Sequence, residues 1–449
     1  MGKNFPAWIC SITGAMFCAL VVVWASSAHL QSGGTAQGSA IDLDQLLQDR
    51  DYLDLEKVLS STSKLSDSDR AFFEGVMANR RNRVADSIRT LEPLVPALSA
   101  TNKGRAVIAL STLADDYEKS FRYSDAADTY TELEKRFGPL MDDYDRQRAS
   151  TEAARWNLLR GAPTQSAEVK AAFTVPVTRD KVGLPEVLVE IGKFQESMIL
   201  DTGANLSVIS ASLAQRLGLR LSDSAATSSG IAGRRMAVHT AVIPELRLGE
   251  AKLRNVAVIV INDDDLVIPD MHYRIPGSIG FPVLSALGRI TFFRDARFGV
   301  GQKQEAGPVG EENLFLQRLT PIVAAEVGGM ERLFTIDTGS AGSFFTVRYY
   351  LEHRNDFSGQ TSSDFDLAGA GGVRTYPAYA TGELNIKMGG ACVEVNQLPV
   401  ISQSKGLPDD KFYGNVGQSI LDLFKSYTFD FQNMTFSAEG KTCKQGEAK

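Results

Sequence analysis

The sequence predicts a multidomain chain: an α-helical, repeat-like N-terminal domain followed by an all-β part made of two matching lobes. Three observations predict it. Apolar residues recur at three and four spacing, with almost no glycine, from about Ile41 to Arg160. Short β-rich runs separated by Gly and Pro turns fill the chain from about Gly183 onward. A triplet, Asp-Thr-Gly, is written twice, at Asp201-Thr202-Gly203 and at Asp337-Thr338-Gly339. At 449 residues the chain exceeds one usual domain, and 43% hydrophobic with 22% charged content is ordinary for a globular protein. A net charge of -7 without any basic cluster gives no footprint for nucleic acid.

Taken in order, residues 1–28 read as a targeting segment. Ala7 to Ala28 carry no charge and end in the small residues Ala25-Ser26-Ser27-Ala28, which fits a cleaved export signal or an uncleaved membrane anchor. Either one places the mature chain outside the cytoplasm, in a periplasmic or other extracytoplasmic setting, secreted or anchored. Neither Cys10 nor Cys18 sits in a lipoprotein box, and Pro6 stands where myristoylation wants Ser or Thr. Residues 29–40, rich in Gly, Ser, Ala and Gln, form a flexible linker. The helical domain covers 41–165. Within it Leu113, Ala114, Tyr117, Ala126, Tyr130 and Pro139 fall near the packing positions of a tetratricopeptide repeat, with Phe121-Arg122-Tyr123 at the turn. A weaker unit lies around Phe72 to Leu94, with Gly75 in its first helix. That resemblance implies helical pairs stacked on neighbours, and a surface that can take a protein partner.

Beyond a linker and first outer strand at Gly161 to Gly183, lobe 1 spans 180–303, a linker 304–316, and lobe 2 317–440. The surroundings of the two triplets repeat. Each follows an apolar strand, Met198-Ile199-Leu200 or Leu333-Phe334-Thr335-Ile336. A glycine-rich hairpin tip follows each, at Gly230-Ile231-Ala232-Gly233 and at Gly369-Ala370-Gly371-Gly372. An apolar-Gly pair comes next: Ile279-Gly280, 79 residues after Asp201 (280 minus 201), and Val416-Gly417, 80 after Asp337 (417 minus 337). Each pair precedes a short helix, Val283 to Leu287 or Ser419 to Leu423, and a closing strand, Arg289 to Phe293 or Ser426 to Asp430. This reads as an internal duplication.

An apolar strand ending in Asp-Thr-Gly-[Ala/Ser], a glycine-rich flap and a later apolar-apolar-Gly turn resemble the aspartic proteases of the pepsin and retropepsin families, over roughly residues 180–440. The chain resembles two retropepsin-like units fused in tandem, departing from pepsin-like enzymes in having no flap tyrosine. The resemblance implies an aspartic endopeptidase acting on a peptide or protein substrate, with Asp201 and Asp337 catalytic and Thr202, Gly203, Thr338, Gly339 and Ser340 supporting them. It also implies that the threonines lock the loops through crossed hydroxyl bonds and that Gly230 to Gly233 and Gly369 to Gly372 cover the substrate. Two close carboxylates share a proton, so one can act as base toward water while the other donates to the carbonyl. Ser340 has a hydroxyl for Asp337 where Ala204 has none for Asp201, so Asp337 is expected to ionise first. Cys392 and Cys443, both in the second half, form a disulfide or stay as two free thiols; pepsin-like second lobes often carry such a bridge.

Other chemistries find no motif. Gly440-Lys441-Thr442 lacks the first glycine of a phosphate loop, because Thr435 stands there. No His-Glu-x-x-His pattern joins the four histidines, and Gly339-Ser340-Ala341-Gly342 is one residue short of a nucleophile elbow. Asp263-Asp264-Asp265 reads most simply as a solvated loop, with calcium binding a poor second. No cofactor and no metal are expected. The competing reading is a catalytically silent binding or scaffold protein that keeps the duplicated fold.

Overall fold

The structure is a computed structural model and describes residues 8–9, 42–141, 143–229, 234–302, 312–404 and 410–441. Residues 43–157 are helical and the remainder is mostly β-sheet. The helices are Leu43–Gln48 (α1), Tyr52–Ser61 (α2), Asp67–Arg80 (α3), Val84–Leu91 (α4), Val95–Thr101 (α5), Lys103–Lys119 (α6), Tyr123–Phe137 (α7) and Asp143–Asn157 (α8). Short polar side chains start several of them: Asp42 accepts from Asp44 N, Ser66 from Asp69 N and Asn102 from Arg105 N.

Three antiparallel pairs close through one kind of turn. Arg50, Asn82 and Phe121 take left-handed backbone conformations, with φ of 57°, 56° and 58°. The next N–H then reaches back over the turn, Asp51 to Leu46 O at 2.9 Å, Arg83 to Ala78 O at 2.8 Å and Arg122 to Tyr117 O at 2.8 Å. Gly75 lets α3 and α4 approach, since a Cβ there would lie 2.7 Å from Leu91 Cγ. Buried Phe72, Val76, Leu91, Leu113, Tyr130 and Leu133 fill the interior, and Tyr123 stacks on Trp156 of α8 at 5.7 Å.

In the β part, a nine-stranded sheet belongs to the first half and an eleven-stranded sheet to the second. A five-stranded sheet joins them. At its centre Arg289–Phe293 runs antiparallel to Ser426–Asp430, with Thr291 opposite Thr428 and their hydroxyls 2.9 Å apart. Phe292 stacks on Tyr427 at 4.8 Å beside that pair.

Within the stretch 161–183, read as linker and first outer strand, Ser166–Glu168 and Phe173–Pro176 add edges to Ala251–Ile261 and Arg297–Val300. One boundary differs from that expected. The expected linker 304–316 ends in the strand Leu314–Gln317, whose Leu314, Phe315 and Leu316 are fully buried. Burial explains it: the run pairs with Thr320–Val327 on one side and meets the helices on the other. Arg81 donates to Leu314 O at 2.9 Å and lies 3.6 Å over the Phe315 ring, which also packs against Tyr52.

The next turn drives a cation into the helical domain. Arg318, with φ of 57°, puts its Nη2 2.9 Å from Glu152 and 3.6 Å from Glu118, and its Nε 3.7 Å from Asp115. The first half is tied down too, through Thr240 Oγ1 to Leu158 O at 3.2 Å and Gln165 Nε2 to Pro282 O at 3.0 Å. Among the described residues no helix is long and apolar enough to cross a membrane. Apart from Trp8–Ile9, the expected targeting segment lies outside the described residues.

Candidate active site

Each Asp-Thr-Gly loop hangs from the end of an apolar strand, Phe194–Leu200 or Met330–Ile336, and the apolar-Gly pair runs parallel beside it. Asp201 N donates to Ile279 O at 3.0 Å and Asp337 N to Val416 O at 2.9 Å. The glycine of each pair is required by space. A Cβ on Gly280 would lie 2.6 Å from the Leu206 carbonyl carbon, and one on Gly417 2.2 Å from Gly342 O.

The loops meet face to face. A Cβ on Gly203 would lie 2.6 Å from Asp337 Cγ, and one on Gly339 2.3 Å from Asp201 Cγ. Each carboxyl group therefore rests on the glycine of the opposite loop. The threonines lock this arrangement crosswise: Thr202 N donates to Thr338 Oγ1 at 3.0 Å and Thr338 N to Thr202 Oγ1 at 3.0 Å. Their hydroxyls donate onward, Thr202 to Ile336 O at 3.0 Å and Thr338 to Leu200 O at 2.7 Å, so each loop holds the strand of the other. Asp201, Thr202 and Thr338 are fully buried and Asp337 nearly so.

Asp201 Oδ1 accepts from Gly203 N at 3.1 Å and Ala204 N at 3.0 Å, and Asp337 Oδ1 accepts from Gly339 N at 2.8 Å. The Ser340 hydroxyl donates to Gly342 O at 2.9 Å. Bonds donated to a carboxylate favour its charged form.

Sequence reasoning missed two serines. Ser207 Oγ accepts from Gly280 N at 3.0 Å and Ser343 Oγ from Gly417 N at 2.9 Å, fixing each apolar-Gly turn to the loop it backs. The signal was present, because each serine stands six residues after its aspartate (207 minus 201, 343 minus 337). Gln418 was also missed: its Nε2 donates to Thr338 O at 2.7 Å while Oε1 accepts from Arg179 at 2.9 Å.

The tip Gly369 to Gly372 closes the hairpin of Ser363–Gly369 with Gly372–Ala380. Gly371 N donates across to Asp265 O of the first half at 3.0 Å. Trp8–Ile9 pairs in parallel with Leu367 and Ala368 on the free edge of that hairpin. The other tip, Gly230 to Gly233, lies outside the described residues, between strands that pair at Ser229 and Arg235. Cys392 is disulfide-bonded, and Cys443 lies outside the described residues. Asp263 serves a local role, accepting from Ser212 N at 2.9 Å and from its hydroxyl at 2.5 Å. Among the described residues no cluster of His, Cys, Asp and Glu is arranged to hold a metal.

Residues 187–283 match a protein-family model described as Aspartyl protease, which supports a retropepsin-like fold for that stretch. A solved structure similar to the chain is a retropepsin-like aspartic protease from Rickettsia conorii, at 16% identity over 30% of this chain and 100% of that one. Its TM-score of 0.23 is too low to carry an argument. No curated protein matches the chain.

Proposed function

We propose that the chain is an aspartic endopeptidase whose two Asp-Thr-Gly loops form one catalytic dyad. The observation that carries this reading is the crossed seating of Asp201 over Gly339 and Asp337 over Gly203, locked by Thr202 and Thr338. Two carboxyl groups held this way cannot both ionise cheaply and share one proton. The charged member takes a proton from a water as its oxygen attacks the scissile carbonyl carbon. The protonated member donates to the carbonyl oxygen, giving a tetrahedral diol. Proton return to the amide nitrogen then breaks the C–N bond. No metal or covalent nucleophile is needed, and the intact constellation lends the silent-scaffold reading no support.

The two halves are read as duplicated lobes. Equivalent elements stand 136 or 137 residues apart, Asp201 to Asp337 (337 minus 201) and Thr291 to Thr428 (428 minus 291). The antiparallel pairing of Thr291 with Thr428 is what a local two-fold between two such lobes produces. The helical domain is read as a stack of tetratricopeptide-like pairs that recruits substrate or a partner, and its three like turns support that. Export, with the N-terminal segment as signal or anchor, is supported by the disulfide at Cys392, a bond that persists in oxidising compartments.

Cleavage of a mixed peptide library from acidic to neutral pH tests the assignment. Activity sensitive to pepstatin is expected; no cleavage at any pH by folded protein would reject it.

A further inference from the structure

The two Asp-Thr-Gly loops match each other, but the side chains that back them do not. Phe281 N donates to Ala204 O and Gln418 N to Ser340 O, both at 2.8 Å, so Phe281 after Gly280 and Gln418 after Gly417 hold equivalent positions. Phe281 is buried and packs edge to face with Phe431 at 5.3 Å. Its ring has no donor for the loop. Gln418 is buried as well, and its amide is held at both ends.

The partners leave that amide one orientation. Arg179 Nη1 only donates and lies 2.9 Å from Oε1, while the Thr338 carbonyl only accepts and lies 2.7 Å from Nε2. Thr338 O and Gly339 N belong to one peptide unit, and Gly339 N donates to Asp337 Oδ1 at 2.8 Å. Three hydrogen bonds therefore run in line from a guanidinium through two amides to a carboxyl group. Each bond polarises the next, so Gly339 N becomes a better donor to a charged Asp337.

Arg179 itself is fixed from other sides. Nη1 also donates to Gly183 O at 2.8 Å, and Nη2 donates to Asp422 at 2.5 Å, which anchors the guanidinium without taking the bond to Gln418. The strand Thr178–Arg179 belongs to the first half, so the line crosses from one half to the loop of the other. The other titratable or charged groups nearby are Asp201 across the loops, Asp422, Arg294 and Tyr427 around Arg179, and Tyr273 on the Asp201 side.

We infer that Arg179 and Gln418 are positioning residues that keep the negative charge of the dyad on Asp337 and leave the proton on Asp201, an inference that rests on the dyad reading above. Asp337 is then the member that takes the proton from water, and Asp201 the member that donates to the carbonyl oxygen.

The test is a carbon-13 NMR titration of aspartate carboxyl groups in the full chain. Asp337 is followed in Asp201→Asn and Asp201 in Asp337→Asn, each signal being the one missing from the double variant. It follows the charge whether or not the protein cleaves peptides, so failure of the protease reading shows separately, as absence of cleavage by the unaltered chain. Asp337 is expected to titrate below Asp201, and Gln418→Met to raise the Asp337 midpoint by about 1 pH unit while leaving that of Asp201 in place. Arg179→Met moves the Asp337 midpoint the same way by less, and Arg179→Lys, which keeps a donor, moves it least. In cleaving protein Gln418→Met lowers kcat about tenfold with KM unchanged. Thermal melting checks folding, and the part-exposed Arg179 keeps the test available if Gln418→Met does not fold. Asp201 titrating below Asp337, an Asp337 midpoint unmoved by these variants, or equal movement of both carboxyl groups would each overturn the inference.

Discussion

Gly203 and Gly339 show how little room lies between the two loops. A methyl group at either position would overlap the opposite carboxyl group, so Gly203→Ala and Gly339→Ala are expected to lower kcat about 10²-fold while leaving the fold in place. Steady-state kinetics beside a melting curve measure this, and near-normal kcat would show that the carboxylates sit elsewhere. At Thr202 the hydroxyl both accepts and donates within the buried crossing. Thr202→Val leaves Thr338 N and Ile336 O unmatched and is expected to cost about 1–3 kcal/mol, whereas Thr202→Ser keeps both bonds and most of the stability; urea unfolding separates the two. These residues were legible in the sequence because the chemistry is local: a strand, a triplet and a glycine turn. Ser207 and Ser343 were equally local but carry no familiar motif, so only their common spacing marked them.

The helices and most strands were legible from periodicity, since α7 buries one face and Val187 to Ile191 alternate. The strand Leu314–Gln317 was not, because three apolar residues after a polar stretch do not outweigh the linker composition. Nor was the seam between helices and sheets, which is built from charges that composition reads as surface. There Arg318 is buried against Asp115, Glu118 and Glu152. Arg318→Met removes the ion-pair partner of Glu118 and leaves Asp115 to Arg80 and Glu152 to Arg155, and is expected to cost about 3–5 kcal/mol, read from the urea midpoint. Glu118 supplies a pH signature. Burial, opposed by Arg318, pushes its carboxyl from 4.5 up to about 7. Its folded form thus holds a proton that the unfolded chain releases, and stability present below pH 4.5 is lost as pH rises through about 7. Burial likewise pushes Asp116 up to about 6. Glu118→Gln is expected to flatten the fall in melting temperature between pH 5 and 8 by about 3 °C; an unchanged slope would show that another group titrates there.

At the scale of the molecule, one chain carries both loops, and the central sheet holds the halves together through Thr291 and Thr428. Specific activity is therefore expected to stay constant on dilution through the nanomolar range, which would fail if equivalent lobes of two chains had to pair. The sequence announced the repeat but left open whether both triplets served one site, because spacing within each half says nothing about contact between halves. The most direct measurement is cleavage of the peptide library by Asp201→Asn, by Asp337→Asn and by their equimolar mixture. A single dyad within the chain predicts that each variant loses about 10³-fold or more of kcat and that mixing restores nothing; activity surviving in either variant, or returning in the mixture, would contradict it.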